Sequence, residues 1–215
     1  MRRIAGLAVI VAALWLIGFP CASGEAAVCT CATSRETNGW CDLHGFGYIG
    51  GVKVTSRWVY EYIDAHGHAL NLTTFVCPEC KAAIATGGFC EEHHLGFVRQ
   101  MGYFSRLTYE LGKAEARPPS AIKCRTCRKN AETYGWCAKS GVGMIGPFAI
   151  GNRRDFDLAA AALERFMIAN EASKRCNYCA GAILTDSECP FCRIRYKNGK
   201  AVSGGSAPVA AGTSR

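Results

Sequence analysis

Residues 77–93 read CPECKAAIATGGFCEEH, with three cysteines and a terminal histidine in a fixed pattern. Two ligands three residues apart can hold one metal ion from a tight turn, and a second such pair completes a tetrahedron. Thiolate and imidazole are the ligands that zinc prefers in sites of this kind. The stretch therefore predicts a zinc site formed by Cys77, Cys80, Cys90 and His93.

The same framework occurs four times, always with nine residues between the second and third cysteines. The last copy has four cysteines, Cys176, Cys179, Cys189 and Cys192. The first copy has a tighter opening pair and comprises Cys29, Cys31, Cys41 and His44. The third copy, Cys124, Cys127 and Cys137, has Ser140 in place of a fourth ligand. Four frameworks in one chain predict about four zinc ions per chain.

The third framework has several interpretations. An open fourth position is typical of catalytic or exchangeable zinc sites. The simpler alternatives, which we favour, are a decayed site, a disulfide, or a fourth ligand from elsewhere, with His66, His68 and His94 as candidates. The simplest role of His66 and His68 is to stabilise the end of the first predicted helix, where histidine interacts well with the helix dipole.

These paired turns resemble the knuckles of zinc-ribbon and rubredoxin-like proteins. The resemblance covers the cysteine modules, about a third of the mature chain. It implies a metal-binding β-hairpin, whereas it says almost nothing about function. The histidine-containing sites favour zinc over a rubredoxin-like iron.

The fold class follows from the repeat. The second cysteines of successive frameworks are 49, 47 and 52 residues apart, and units this short bury little apolar surface. We expect small α+β metal-stapled repeats, each a zinc-knuckle β-hairpin, the first three followed by a helix. The predicted ranges are a signal peptide at 1–24, zinc-binding repeats at 28–75, 76–120 and 121–174, a fourth module at 175–200 and a disordered tail at 201–215.

Sequence similarity between the repeats extends beyond the ligands. Residues 56–61 align with 105–110, so Ser56 and Ser105 are predicted N-caps of helices. A third helix is predicted from about Asp155 to Ser173 by its apolar periodicity. An aromatic residue precedes the third cysteine in each of the first three repeats, and we expect it to cover one face of the metal site. Short strands are predicted at 48–49, 97–98 and 144–145.

The N-terminus has the features of a secretory signal. Arg2 and Arg3 precede an uncharged, largely apolar run at 4–19, and small residues follow before a predicted cleavage after Gly24. The run falls short of the ~20 residues that a membrane span needs. We therefore expect export to the periplasm or the extracellular space. Contact with a membrane would require that the segment is retained or that Cys21 is lipidated.

The number of cysteines favours metal binding over disulfide formation. The chain has 14 cysteines, and loss of Cys21 with the signal leaves 13, which cannot all pair within one chain. The four frameworks use all thirteen. Disulfides remain the alternative because the predicted compartment is oxidising.

The basic charge does not indicate nucleic acid. The full chain has a formal charge of +8, and residues 25–215 contain 23 basic against 17 acidic residues, or +6. Thirteen thiolates with four divalent ions would bring the loaded chain to about +1. We expect no nucleic-acid partner; metal ions are the expected ligands, and a protein partner is possible.

No nucleotide-binding, HExxH or nucleophile-elbow motif occurs in the sequence. We expect a non-enzymatic, exported zinc-binding repeat protein that serves as a binding or scaffold module of the cell envelope. The alternatives are heavy-metal sequestration or transfer through labile thiolate sites and, less favoured, thiol–disulfide exchange.

Overall fold

The computed structural model describes residues 29–203. The first repeat consists of a short helix, a three-stranded antiparallel meander and a second helix. Its elements are α1 (Cys31–Thr37), β1 (Trp40–Cys41), β2 (Phe46–Ile49), β3 (Val52–Val54) and α2 (Arg57–Ile63). The expected small α+β fold of antiparallel hairpins and helices is confirmed.

The second and third repeats follow the same order, each preceded by one extra strand. The second contains β4 (His68–Ala69), α3 (Pro78–Thr86), β5 (Phe89–Cys90), β6 (Leu95–Val98), β7 (Met101–Tyr103) and α4 (Arg106–Lys113). The third contains β8 (Glu115–Ala116), α5 (Arg125–Asn130), β9 (Tyr134–Cys137), β10 (Val142–Ile145), β11 (Phe148–Ile150) and α6 (Arg153–Ser173). The fourth module contains α7 (Asn177–Thr185), β12 (Arg195–Lys197) and β13 (Lys200–Ser203).

The first cysteine pair of a framework opens a helix, whereas the resemblance implied a hairpin for both pairs. Cys77 is the N-cap of α3, and its sulfur accepts a hydrogen bond from the backbone N–H of Cys80. Cys176 caps α7 in the same way. The nine-residue spacer is thus mostly helical, and Gly87 ends α3 with a left-handed φ of 68°. Only the second ligand pair lies on a hairpin.

The sheets connect successive repeats. The second sheet has the strand order β4-β7-β6-β5 and the third has β8-β11-β10-β9. β4 lies in the sequence range of the first repeat, yet His68 pairs with Gly102 of the second. Likewise Ala116 of β8 pairs with Phe148 of the third repeat. The strand that follows the helix of one repeat therefore completes the sheet of the next.

The helix boundaries agree closely with the sequence. Ser56 and Ser105 are N-caps, and each side chain accepts a hydrogen bond from the backbone N–H three residues later. α6 begins at Arg153, two residues before the predicted start, because Asn152 caps it, and it ends at the predicted Ser173. The short strands predicted at 48–49, 97–98 and 144–145 lie within β2, β6 and β10.

One hydrophobic core is shared by all four modules. It is built around α6 and receives side chains from α2, α4 and α7 as well as from the first and third sheets. The turn at Gly50–Gly51 packs against the equivalent turn at Gly146, where a Cβ on Gly51 would lie 2.8 Å from the Gly146 Cα. Arg99 and Gln100 occupy the equivalent turn of the second repeat and are exposed. The glycines thus permit close contact between repeats one and three.

β13 continues to Ser203, so its last three residues lie in the range predicted as a disordered tail. The predicted signal peptide, Cys21 and residues 204–215 lie outside the described residues. Within 29–203, no helix combines the length and apolar character needed to cross a membrane.

Candidate metal centres

The ligands of each centre come from a helix start and a hairpin. In the second repeat Cys77 and Cys80 lie in the first turn of α3, Cys90 ends β5, and His93 lies in the turn to β6. The small Ala83 of α3 packs in one cluster with Cys80 and Cys90, and this contact holds the helix against the hairpin. Local turn geometry therefore aims all four ligands at one point.

The structure brings the fifteen predicted ligands together in four groups. Within each group the ligand atoms all lie within 4.8 Å of one another. The groups are Cys29, Cys31, Cys41 and His44; Cys77, Cys80, Cys90 and His93; Cys124, Cys127 and Cys137; and Cys176, Cys179, Cys189 and Cys192.

Several donor–donor distances within the groups are close to the edges expected for a tetrahedral metal site. With Zn–S near 2.3 Å and Zn–N near 2.1 Å, a tetrahedron has S···S edges of about 3.8 Å and S···N edges of about 3.6 Å. The His44 Nδ1 lies 3.2 Å from Sγ of Cys31 and 3.4 Å from Sγ of Cys41. Cys124 and Cys137 have their sulfurs 3.8 Å apart, nearly twice the ~2.05 Å of a disulfide. Each group of donor atoms could therefore hold one metal ion.

Each histidine points its Nδ1 atom at the thiols. In the second group the His93 Nδ1 lies 3.5 Å from Sγ of Cys90 and 3.6 Å from Sγ of Cys80. The ring of His93 is exposed, like that of His44. Neutral imidazole nitrogen and thiolate sulfur form a donor set suited to zinc.

Neighbouring thiols in a group differ strongly in acidity. Burial raises the pKa of Cys31 to about 12, and its neighbours Cys41 and Cys29 contribute to the rise. Burial acts in the same direction on Cys41, but hydrogen bonds from His44 and from the backbone of Thr30 lower its pKa to about 5. A second thiolate next to the first is costly because like charges repel. A divalent cation between them removes that cost.

The aromatic residue before the third cysteine does not behave as expected. Its ring packs on an aromatic side chain of the following helix, with centroids 5.1 Å apart for Trp40 and Tyr60 and 5.3 Å for Phe89 and Tyr109. The first arginine of that helix also lies over the ring, and Arg106 is 3.8 Å from the Phe89 ring centroid. The third repeat has the same arrangement of Trp136, Phe156 and Arg153. These rings attach the hairpin to the helix.

The third group has a serine at its open corner. Oγ of Ser140 lies 3.0 Å from Sγ of Cys127, and Ser140 is an exposed residue. None of the histidines proposed as borrowed ligands belongs to a described ligand group. His68 contacts Asp64 at 2.5 Å, and His66 lies 3.8 Å from the same carboxylate. His94 is exposed.

In the second and fourth groups the residues that immediately precede the second and fourth ligands form a tip on the centre, which the sequence analysis missed. In the second group these are Glu79, 3.6 Å from Sγ of Cys90, and Glu92, 3.4 Å from Sγ of Cys77. In the fourth module they are Tyr178 and Phe191, whose ring centroids are 4.4 Å apart. The signal available in the sequence was that these residues recur at the same place, between the two ligands of a pair. The chemistry of the tip thus differs between modules.

The aromatic tip of the fourth module extends into a row of four rings. Trp58 stacks on Tyr62 at 4.8 Å and lies 6.1 Å from Tyr178, which contacts Phe191. The exposed fraction is 46% for Tyr62, 49% for Tyr178 and 70% for Phe191. We call these four residues the aromatic row. It joins the first repeat to the fourth module on the protein surface.

No protein-family model, curated protein or solved structure matches the chain. The likeness to zinc-ribbon and rubredoxin-like knuckles is one of cysteine and histidine spacing.

Proposed function

We propose that this chain is an exported zinc-binding repeat protein that acts as a non-enzymatic binding scaffold of the cell envelope. In this proposal a zinc ion at each centre fastens a helix start to a hairpin. The observation that carries it is that the Cys and His donor atoms of each of the four groups lie within 4.8 Å of one another. Such sites supply an apparent ~10–16 kcal/mol to folding.

The local cores explain why the ions would be needed. The buried residues of the second cluster are Cys80, Ala83, Cys90, Leu95 and Phe97, and those of the fourth are Cys179, Ala182, Cys189 and Cys192. Ligand cysteines thus make up a large part of each small core. Without an ion these clusters bury little apolar surface, so the bound metal would replace the missing hydrophobic stabilisation.

Export is supported by the N-terminal sequence with its arginine pair, apolar run and small residues. The proposal places the mature protein in the periplasm or outside the cell. The intact mass of the protein from its own compartment would test this. A chain beginning near residue 25 is expected, and a chain that retains residues 1–24 in the cytoplasm would contradict export.

The aromatic row supports a binding role. Exposed Trp, Tyr and Phe side chains are enriched at protein interfaces and carry much of their binding energy. Residues 175–200, which form the fourth module, contain five basic and two acidic side chains. We propose that the row binds a partner protein with an acidic surface. Replacement of Phe191 by alanine should then weaken binding, whereas replacement of Val76, which is 86% exposed and lies outside the row, should not.

Elemental analysis combined with native mass spectrometry tests the metal proposal. Protein purified from its own compartment should carry about four zinc ions per chain. Chelator titration followed by circular dichroism should show zinc release only as the fold is lost. A metal-free protein with six disulfides would contradict the proposal.

Metal handling is the second candidate, and exposure of the first group favours it. Cys29 and His44 are both exposed, so two of its four ligands are open to solvent and to competing ligands. A handling protein should exchange at least one ion while it remains folded. Exchange of isotopically labelled zinc into the folded protein, followed by native mass spectrometry, separates this role from a purely structural one.

A further inference from the structure

The third group is the one described centre that lacks a fourth sulfur or nitrogen donor. Ser140 follows Cys137 by three residues and thus occupies the place taken by His44, His93 or Cys192 in the other modules. Its hydroxyl oxygen lies 3.0 Å from Sγ of Cys127. The backbone turn is therefore retained, and only the donor atom has changed.

A serine hydroxyl is a poor replacement for that donor. Zinc sites in proteins use thiolate, imidazole or carboxylate, and a neutral alcohol binds the ion weakly. The hydroxyl of Ser140 can instead donate its hydrogen bond to the sulfur of Cys127. A zinc ion held by three thiolates would then have its fourth position beside Ser140, which is an exposed residue.

The sequence around the ligands of the third group is strongly basic. Five exposed basic residues lie within a few positions of the ligands, and Glu132 is the one acidic residue in the same stretch, 122–140. The five are Lys123, Arg125, Arg128, Lys129 and Lys139. The second group, by contrast, has Glu79 and Glu92 against its thiols. An anionic ligand is therefore favoured at the third group and disfavoured at the second.

We propose that the third group holds zinc through Cys124, Cys127 and Cys137 and takes a thiolate from solution as its fourth ligand. The inference rests on the proposed metal binding and identifies the ligand class of this one site. A thiol would give its proton to the buffer, displace a zinc-bound water, and form a Zn–S bond. No electron is transferred. The thiolate can belong to a small molecule or to a cysteine of a partner protein.

Native mass spectrometry of the zinc-loaded full chain tests the proposal, with 2-mercaptoethanol as the small thiol and a short acidic peptide with one cysteine as the second probe. The wild-type chain should bind one probe molecule. Binding of the small thiol alone would identify a small-molecule ligand. Stronger binding of the peptide would identify a partner cysteine.

Two variants close the site in the manner of the other modules. Ser140→Cys reproduces the ligand set of the fourth module and Ser140→His that of the second, so neither should bind a thiol. Ser140→Ala keeps the position open and should bind as the wild type does. Cobalt-loaded protein gives an independent readout, because a fourth sulfur ligand intensifies the sulfur-to-cobalt charge-transfer absorption. Addition of the thiol should therefore intensify this absorption in the wild type and in the alanine variant, but not in the two closed variants.

A charge-reversal variant tests whether the basic residues favour thiolate binding. Lys139→Glu reverses one exposed charge near the opening and should weaken thiol binding about threefold, as expected for a solvent-screened pair. It should leave the zinc content unchanged.

The failures are distinguishable. Four zinc ions without a thiol adduct, or an equal adduct on Ser140→Cys, would overturn this inference and leave the scaffold proposal intact. Three zinc ions with an empty third group would do the same. A chain that binds no zinc at any group would overturn both.

Discussion

Replacement of Gly143 by alanine should destabilise the protein because a helix ring lies directly on this strand. Gly143 is in the middle of β10, and a Cβ atom there would lie 2.1 Å from Cδ2 and 2.4 Å from Cγ of Phe156. Phe156 is buried in the shared core. Non-bonded carbons need about 3.5 Å, so the ring or the strand would have to move by more than ~1 Å.

The size of the effect follows from this overlap. Overpacking a well-filled core costs ~1–3 kcal/mol, and the short distance places Gly143→Ala near the upper end. For a chain of this size ~1 kcal/mol lowers the melting temperature by about 2–4 °C. We expect the free energy of unfolding to fall by about 3 kcal/mol and the melting temperature by about 6–12 °C.

The assay is urea unfolding of the zinc-loaded chain followed by tryptophan fluorescence. Gly151→Ala is the matched control, since a Cβ there would meet nothing within 4 Å. That substitution should be neutral or slightly stabilising. In a Phe156→Ala background the second substitution at Gly143 should cost clearly less, because the ring is gone and only the Cβ of residue 156, 2.9 Å away, remains in contact. Equal midpoints for the two glycine variants, or an undiminished cost without Phe156, would refute the reasoning.

Three further predictions follow from the same structure. Arg106→Ala should lower the free energy of unfolding by about 3 kcal/mol, because it leaves the Glu110 carboxylate, 1% exposed, without one of its two basic partners. The equivalent Arg57→Ala, whose partners are 60% and 88% exposed, should lower it by less than about 1 kcal/mol. Urea unfolding of both variants would test the difference. Cys179→Ser should reduce the zinc content by one ion per chain in native mass spectrometry, with the other three retained; a content that stays the same would mean that the fourth group holds no metal. Lowering the pH from 7 to 5 should accelerate zinc loss to a chelator, because thiolate and imidazole ligands must bind protons as the ion leaves; a rate independent of pH would contradict ligation by these groups.

Ligand groups and helix starts were the features that local sequence predicted best. The spacing of Cys77, Cys80, Cys90 and His93 is short enough for turn geometry alone to bring the four together. Ser56 is similarly local, because an N-cap bonds to an amide only three residues away. Features that depend on neighbours within one turn can be inferred without knowledge of the rest of the chain.

The two-residue strands β4 and β8 illustrate what could not be predicted. His68–Ala69 and Glu115–Ala116 carry no strand signal, and they are extended only because each pairs with a strand of the next repeat. The role of Trp40 was equally hidden. Its position beside Cys41 suggested contact with the metal, whereas its ring packs on Tyr60 of the following helix.

The sequence by itself determined which atoms can bind metal, how many groups they form and where the helices begin. These properties depend on chemical identity and on spacing over a few residues. Only the tertiary structure decided that the four modules share one core around α6, that Gly50–Gly51 meets Gly146, and that the Ser140 hydroxyl lies beside the sulfur of Cys127. Those properties depend on contacts between residues far apart in the chain, and such contacts are established only when the packed core fixes which surfaces meet.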